Sequence, residues 1–200
     1  MFLSEKERDE TIWACRFCMM CHCADRVGQV VRRESYTPRG RGAIIFALNE
    51  GLLDYDEGVA DIMYTTLNDR MLQHWCVGNY DHEELVIDTR ARIYEKGLAP
   101  EEVLAYTRNL RKNPARGGDP VRILSDAGVR LDSDADTLLF CGSTARDSQQ
   151  ATLIAAGKLF NRAGRAFKVI ENEPSSGWAL YQLGDFEGAR QLSVLVAEKI

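Results

Sequence analysis

The sequence predicts a mainly helical chain that changes to an α/β arrangement over its last third. Helix-start and helix-stop signals recur up to residue 112. Two short apolar runs then alternate with two amphipathic stretches, a pattern typical of a small layer of parallel strands covered by helices. Between these parts lies "NPARGGDP", residues 113–120, whose two prolines and adjacent glycines predict a linker. We therefore expect a helical domain over residues 1–112 and an α/β domain over residues 121–200.

Four helices are predicted in the first domain. Thr37 and Pro38 form a start signal, because the hydroxyl can cap a helix and proline needs no amide partner at its first position. Gly51 fits the end of this helix. Further helices are predicted over residues 57–67, 82–96 and 100–112.

The second domain is predicted from two apolar runs and the helices between and after them. "DTLLFCG" and "AFKVI" are each bounded by polar residues, which indicates buried strands. "QQATLIAAGKLFNRAG" predicts an amphipathic helix that ends at Gly164, and "GDFEGARQLSVLVAEKI" predicts another that runs to residue 200. "CGSTAR" before a helix resembles an anion site but lacks the glycine pattern of a phosphate-binding loop.

Charge and hydropathy exclude several classes of function. The formal net charge of -5 disfavours nucleic-acid binding, which needs a basic field. The charged N-terminus lacks the apolar core of a signal peptide, and the longest purely apolar run, "AIIFAL", is too short to cross a bilayer. These features predict a cytoplasmic chain that does not span a membrane. In a reducing compartment, clustered cysteines favour metal binding over disulfides.

The cysteine loop "CRFCMMCHC", residues 15–23, carries the strongest functional signal. The run C-x2-C-x2-C formed by Cys15, Cys18 and Cys21 is typical of three ligands of a [4Fe–4S] cluster, whose fourth ligand usually comes from a distant cysteine. Cys23 stands at the wrong spacing for this pattern. With Cys23 or His22 as a further ligand, the same loop could instead hold a structural zinc ion. A redox disulfide between Cys21 and Cys23 is disfavoured by ring strain.

Several stretches of the sequence resemble one known family. "CRFCMMCHCAD", "SYTPRGRGAIIFALNEGLLDY" and "MYTTLNDRMLQHWCVGN" are similar to the helical two-cluster ferredoxin domain of glycolate-oxidase iron–sulfur subunits and heterodisulfide-reductase-like proteins. "NPARGGDP" is similar to the linker of such proteins. "LLFCGSTARDSQQATLIAAGKLFNRAG" and "AFKVIENEPSSGWALYQLGD" resemble the first half of their cysteine-rich CCG domain. The resemblance implies a ferredoxin-like domain followed by a half CCG-type α/β domain.

The resemblance also implies that one cluster is kept and a second is lost. It assigns the complete ligand set of the first cluster to Cys15, Cys18, Cys21 and Cys76. The three cysteines of the family's second run correspond to Thr65, Asn68 and Met71 or, shifted by one residue, to Thr66, Asp69 and Leu72. Asp25 stands in place of the remaining ligand of that second cluster. The shifted register gives Cys76 the correct spacing.

The CCG-like part has lost its ligands as well. Ser175 and Ser176 correspond to the family's paired cysteines, and Ser143 corresponds to its isolated cysteine, with Cys141 two residues away. Serine is a poor substitute for a soft thiolate ligand. Cys141 lies in a predicted buried strand and is expected to be a core residue. We therefore do not expect heterodisulfide cleavage.

Several side chains next to the presumed ligands could influence the cluster or its partner. Arg39 and Arg41 either tune the cluster by charge or bind an acidic partner, and the alternative is a solvated helix start. Trp13 and Trp75 are expected to shield the cluster from water. His22 and His74 are expected to be hydrogen-bonding neighbours or surface residues rather than ligands.

The expected function is electron transfer within a larger complex. One [4Fe–4S] cluster would carry single electrons between a flavin- or quinone-linked partner and another redox centre, in the cytoplasm or at the periphery of a membrane complex. No nucleophile–base pair or carboxylate dyad indicates independent catalysis. The alternative is a structural or assembly subunit that holds zinc or a vestigial cluster only for its fold.

Overall fold

A computed structural model describes residues 3–200; Met1 and Phe2, which begin the expected first domain, lie outside the described residues. The described chain is mainly helical, which confirms the predicted helical class. Its α-helices are α1 (Glu5–Ala14), α2 (Arg26–Val31), α3 (Pro38–Asn49), α4 (Glu57–Tyr64), α5 (Met71–Trp75), α6 (His82–Glu95), α7 (Glu101–Lys112), α8 (Pro120–Asp126), α9 (Ser143–Asp147), α10 (Gln150–Arg162), α11 (Trp178–Gln182) and α12 (Phe186–Ala197). Every helix of residues 3–200 is too short or too polar to cross a lipid bilayer.

The chain divides into two compact units. The first holds the chain up to Ala105 together with Leu180–Phe186, and the second holds Tyr106–Ala179 and Glu187–Ile200. Residues 113–120, the predicted linker, lie inside the second unit, where the last of them begins α8.

The core of the first unit forms where α1, α3, α4 and α6 pack together. Its buried apolar side chains are Ile12, Ile45, Leu48, Val59, Ala60, Met63, Tyr80, Leu85, Val86 and Ile93. A buried ion pair between Arg8 of α1 and Asp88 of α6 crosses this core. Asp88 also accepts a hydrogen bond from Arg92 Nε at 3.0 Å, one turn further along α6. The carboxylate thus ties α1 to the longest helix of the unit.

Helix α3 begins as the sequence predicts and brings two chain segments into close contact. The Thr37 hydroxyl accepts a hydrogen bond from the Gly40 N–H at 3.1 Å, and Pro38 is the first helical residue. A Cβ on Gly40 would lie 1.9 Å from the carbonyl oxygen of Glu34, in the short 3-10 turn that precedes the helix. Only glycine therefore allows this turn to fold back against α3. The helix ends at Asn49, two residues before the predicted Gly51.

The predicted parallel strand layer of the second unit does not form a sheet. Leu138 and Lys168 meet in one parallel bridge, and among the described residues no longer ladder extends it. The backbone N–H groups of Cys141 and Gly142 are bound by the carboxylate of Glu173, at 2.7 and 2.8 Å. A side chain thus takes the amides that would continue the first strand. The same carboxylate occupies the anion site that "CGSTAR" suggested.

The core of this unit lies under that bridge. Leu124, Val129, Leu153 and Phe167 are its buried residues, contributed by α8, the loop after it, α10 and the second apolar run. Cys141 packs against them partly buried, as expected of a core cysteine. The prediction of two buried strands was therefore wrong for the first run, whose apolar residues are half-buried or, in Phe140, exposed, whereas Phe167 and Ile170 of the second run are buried.

Replacing Gly40 with alanine tests the close contact at the start of α3. The added methyl group would overlap the Glu34 carbonyl, so we expect the free energy of unfolding to fall by about 3 kcal/mol or more. Chemical denaturation measures the loss. Ala43→Ser, at an exposed position of the same helix, should change stability by less than about 0.5 kcal/mol. Equal effects of the two changes would contradict the contact.

Candidate metal centre

Three cysteines of one short loop and a fourth that is distant in the sequence line one cleft of the first unit. Cys15, Cys18, Cys21 and Cys76 all border a cleft that encloses ≈ 470 Å³ of empty space, part of it open to solvent. We call it the cysteine cleft. These are the four residues that the family resemblance assigns to the first cluster, and Cys23 is not among the residues that line the cleft.

Helix ends and a tight loop place these cysteines. Cys15 directly follows α1 and Cys76 directly follows α5, so both leave a helix in extended backbone conformation. Phe17, between the first two cysteines, has a left-handed backbone with φ of 50°. Cys21 lies in a 3-10 turn, Met20–Cys23. The loop therefore bends back on itself within a few residues, as wrapping a compact group requires.

Gly78 allows the two ends of the cleft to meet. A Cβ at this position would lie 2.8 Å from the carbonyl oxygen of Ala14 and 3.9 Å from Cys76 Sγ. The backbone after Cys76 can thus approach the backbone before Cys15 only because residue 78 has no side chain. A glycine two residues after a presumed ligand was the sequence signal for this approach.

Backbone amides point at the sulfur atoms. The Phe17 N–H donates to Cys15 Sγ at 3.4 Å, and the amides of Cys21 and Arg39 favour the thiolate form of Cys21. Burial nevertheless dominates: it raises the pKa of Cys15 and raises the pKa of Cys21 to about 11. The cleft therefore holds these thiols protonated in the metal-free chain, and a metal must displace their protons to bind.

Two buried polar side chains also face the cysteine cleft. Tyr80 and His82 line it, exposed to only 6% and 1%. Burial raises the pKa of Tyr80 well above its ordinary value, so its phenol stays protonated. Burial, reinforced by Arg41 and Arg90, lowers the pKa of His82 to about 3. Neither ring nitrogen of His82 has a hydrogen-bond partner within residues 3–200. Sequence reasoning did not single out either residue.

The alternative ligands lie outside the cleft. Cys23 is exposed, and its thiol donates to the Met20 carbonyl at 3.1 Å. His22 Nε2 lies 3.4 Å from a carboxylate oxygen of Glu34. In the part of the chain that the structure describes, no three cysteine, histidine or acidic side chains converge closely enough to hold a single metal ion. The geometry therefore brings together neither of the zinc sets considered from the sequence.

The residues that flank the cysteines differ in their positions. Trp13 and Trp75 are 57% and 50% exposed and are not among the residues that line the cleft, so the expected shielding falls to Tyr80 instead. Arg39 lines the cleft and pairs with Glu34 at 2.7 Å. Arg41 is fully buried and therefore cannot dock an acidic partner.

A second cleft contains the positions assigned to the lost cluster. One cleft of ≈ 240 Å³ is lined by all four of these positions. They are Thr66, Asp69 and Leu72 of the shifted register, and Asp25 at the remaining ligand position. We call it the oxygen cleft, because carboxylate, amide and hydroxyl oxygens are contributed by its lining residues. Asn68 and Glu83 line it too. The structure thus places these four separated positions together.

The serines of the second unit have structural surroundings. The Ser175 N–H donates to the Pro114 carbonyl at 2.7 Å, and Ser175 is buried. Gly177 follows with φ of 84° and packs against the backbone of Ala189. None of the serines belongs to a group of metal-binding side chains in residues 3–200.

No protein-family profile, curated protein or solved structure matches the chain significantly.

Thiol reactivity tests the surroundings of the cysteines in the metal-free chain. Cys18 and Cys23 are exposed, so both should be alkylated rapidly at pH 8. Burial raises the pKa of Cys21 to about 11 and that of Cys141 to about 12, so both carry little thiolate and should react about tenfold or more slowly. Raising the pH to 10 should increase the rate at which Cys21 is alkylated. Mass spectrometry of the labelled peptides measures the rates; labelling of Cys21 as fast as Cys23 contradicts the burial.

Proposed function

We propose that the protein is an iron–sulfur electron-transfer subunit that carries one [4Fe–4S] cluster on Cys15, Cys18, Cys21 and Cys76. The single observation that carries the proposal is that these four cysteines line one cleft although Cys76 is 55 residues from Cys21 in the sequence. Spacing and placement thus point to the same four ligands.

The cysteine cleft fits a cluster better than a single ion. A tetrahedral zinc ion draws four ligands to about 2.3 Å from one point. A cubane cluster binds each thiolate through a different iron, so its ligands stand further apart around a larger group. Cysteines that share a cleft without converging agree with the second arrangement. The orphaned ring nitrogens of His82 also favour an occupant in this cleft, since buried polar atoms normally have partners.

The chain's own residues would set the properties of the centre. A bound [4Fe–4S] cluster supplies reversible one-electron transfer. The Phe17 N–H donates to Cys15 Sγ, and such hydrogen bonds raise a cluster's reduction potential. The phenol of Tyr80 and the imidazole of His82 line the same cleft as neutral groups that could donate to a bound cluster. Pro38 and Leu72 add apolar walls that limit the access of water.

Exposed apolar residues border the cleft and support transfer to a partner. Met20 and Val77 line the cleft and are 52% and 79% exposed. Cys18 itself is exposed. A redox partner that covers this edge would bring its own centre close to the ligands. We propose a flavin- or quinone-linked subunit as that partner.

We further propose that the chain is a reduced member of the family it resembles. The four positions of the lost second cluster share the oxygen cleft, which supports the shifted register. In the second unit, the parallel bridge between Leu138 and Lys168 is proposed as the remnant of the α/β layer of a half CCG-type domain. Its serines leave that domain without metal chemistry of its own.

Metal analysis tests the proposed cluster. Anaerobically purified protein should contain about four irons and four acid-labile sulfides per chain, with an EPR signal that appears on reduction with dithionite. Cys76→Ala should lose most of the iron, because it removes the only ligand from outside the loop. Cys23→Ala is the matched control and should keep its iron. Zinc without sulfide would instead support a structural or assembly subunit and end the electron-transfer proposal.

Tyr80→Phe tests whether the phenol tunes the cluster. The change removes a donor from the cysteine cleft and keeps the ring, so the midpoint potential should fall while iron and sulfide contents stay constant. Potentiometric titration followed by EPR measures the potential. Tyr55→Phe removes a phenol of the same unit that does not line the cleft and should leave the potential unchanged. An unaltered potential in Tyr80→Phe would assign the phenol a packing role only.

A further inference from the structure

The oxygen cleft gathers side chains that are hard oxygen donors. It lies between the start of α2, the segment joining α4 to α5, and the first turn of α6. Asp25, Asp69 and Glu83 contribute carboxylates, Asn68 contributes an amide and Thr66 a hydroxyl. The possible ligands among these side chains are all oxygen atoms, which suit Ca²⁺, Mg²⁺ or Mn²⁺ better than ions that prefer thiolate or imidazole; Arg26 also lines the cleft.

Glu83 is the observation that points to a ligand. It is 1% exposed and lines this cleft, yet neither of its carboxylate oxygens has a hydrogen-bond partner among residues 3–200. Asn68 Oδ1 is buried without a partner as well. A buried carboxylate without partners is strongly unfavourable, and acidic side chains are almost never fully buried unless paired. Packing alone therefore does not account for Glu83.

The other two carboxylates each keep an oxygen free for a ligand. Asp25 Oδ2 accepts from the Gly28 N–H at 2.9 Å, and Asp69 Oδ1 accepts from the Met71 N–H at 3.1 Å. Their second oxygens have no hydrogen bond in the described part of the chain. Backbone amides thus hold both carboxylates at the cleft, and each carboxylate keeps one oxygen without a hydrogen bond in the described residues.

The charges around the cleft are not balanced. Arg41 is the nearest cation to Asp25, with Nη1 3.9 Å from Oδ2, and can offset about one negative charge. Burial is the main cause that raises the pKa of Glu83, and the neighbouring Asp81 and Asp69 raise it further, while Arg70 lowers it. Arg26 lines the cleft as well, so three carboxylates face two guanidinium groups and carry one negative charge in excess.

We propose that the oxygen cleft binds one divalent hard cation, with Glu83 and Asn68 as its inner ligands and Asp25 and Asp69 completing the site. Ca²⁺ fits this irregular set best, because it accepts six to eight oxygens in flexible geometry whereas Mg²⁺ demands an octahedron. The acidic groups of residues 3–200 do not yet converge, so binding draws the exposed Asp69 inward. This inference stands on residues that the proposed cluster does not use.

Titration calorimetry tests the site. Purified protein is treated with a chelator and titrated with CaCl₂ and, in parallel, with MgCl₂ and MnCl₂. One Ca²⁺ should bind per chain and raise the midpoint of thermal unfolding, since a ligand that binds only the folded state stabilises it. Glu83→Gln should weaken binding about tenfold or more. Glu95→Gln, the same change at an exposed position of α6, should not. Iron and sulfide contents should be equal in all variants.

A second variant keeps the test decisive if Glu83→Gln does not fold. Asp69→Asn alters an exposed side chain and should also weaken Ca²⁺ binding. The proposal is overturned if none of the three ions, at millimolar concentration, gives a heat of binding or shifts the midpoint of thermal unfolding. Binding that is equally tight in wild type, Glu83→Gln and Asp69→Asn would place the ion elsewhere and overturn it as well.

Discussion

Two buried guanidinium groups hold the segment around which the first unit is arranged. Arg41 of α3 donates from Nε to the Ile62 carbonyl at 3.3 Å and from Nη2 to the Thr65 carbonyl at 2.6 Å. Arg90 of α6 donates from Nε to the Met63 carbonyl at 2.9 Å. The last carbonyls of a helix have no partner within it, and a positive charge is favoured at that end. The end of α4 is therefore fixed from two sides by buried cations.

Both clefts depend on that fixed segment. The chain leaves α4, passes the oxygen cleft at Thr66 and Asp69, and reaches Cys76 at the end of α5. The arginines secure the start of this path, which ends with Cys76 in the same cleft as the cysteines of the N-terminal loop. In the next helix, His82 faces the cysteine cleft and Glu83 faces the oxygen cleft. Two consecutive residues of α6 thus line the two different clefts.

Sequence signals correctly predicted structural features that depend only on residues close together in the chain. Thr37 and Pro38 marked the start of α3 because capping involves only the next few residues. The prediction of paired strands was wrong because the carboxylate of Glu173, about thirty residues after the first apolar run, accepts hydrogen bonds from the amides that a strand ladder would use. The burial of Glu83 could not be predicted either, since its position in the first turn of a helix is typical of an exposed acid. Tertiary contacts decided both outcomes.

The two clefts follow one physical rule with different ligands. A buried group must find a partner, whether it is a thiol whose pKa burial raises or a carboxylate without hydrogen bonds. In the cysteine cleft, Cys15 and Cys21 are desolvated and become good ligands only when a metal replaces their protons. In the oxygen cleft, Glu83 is desolvated in the same way. Because a ligand that binds only the folded state stabilises it, the two proposals together predict that metal content and stability are linked in this protein.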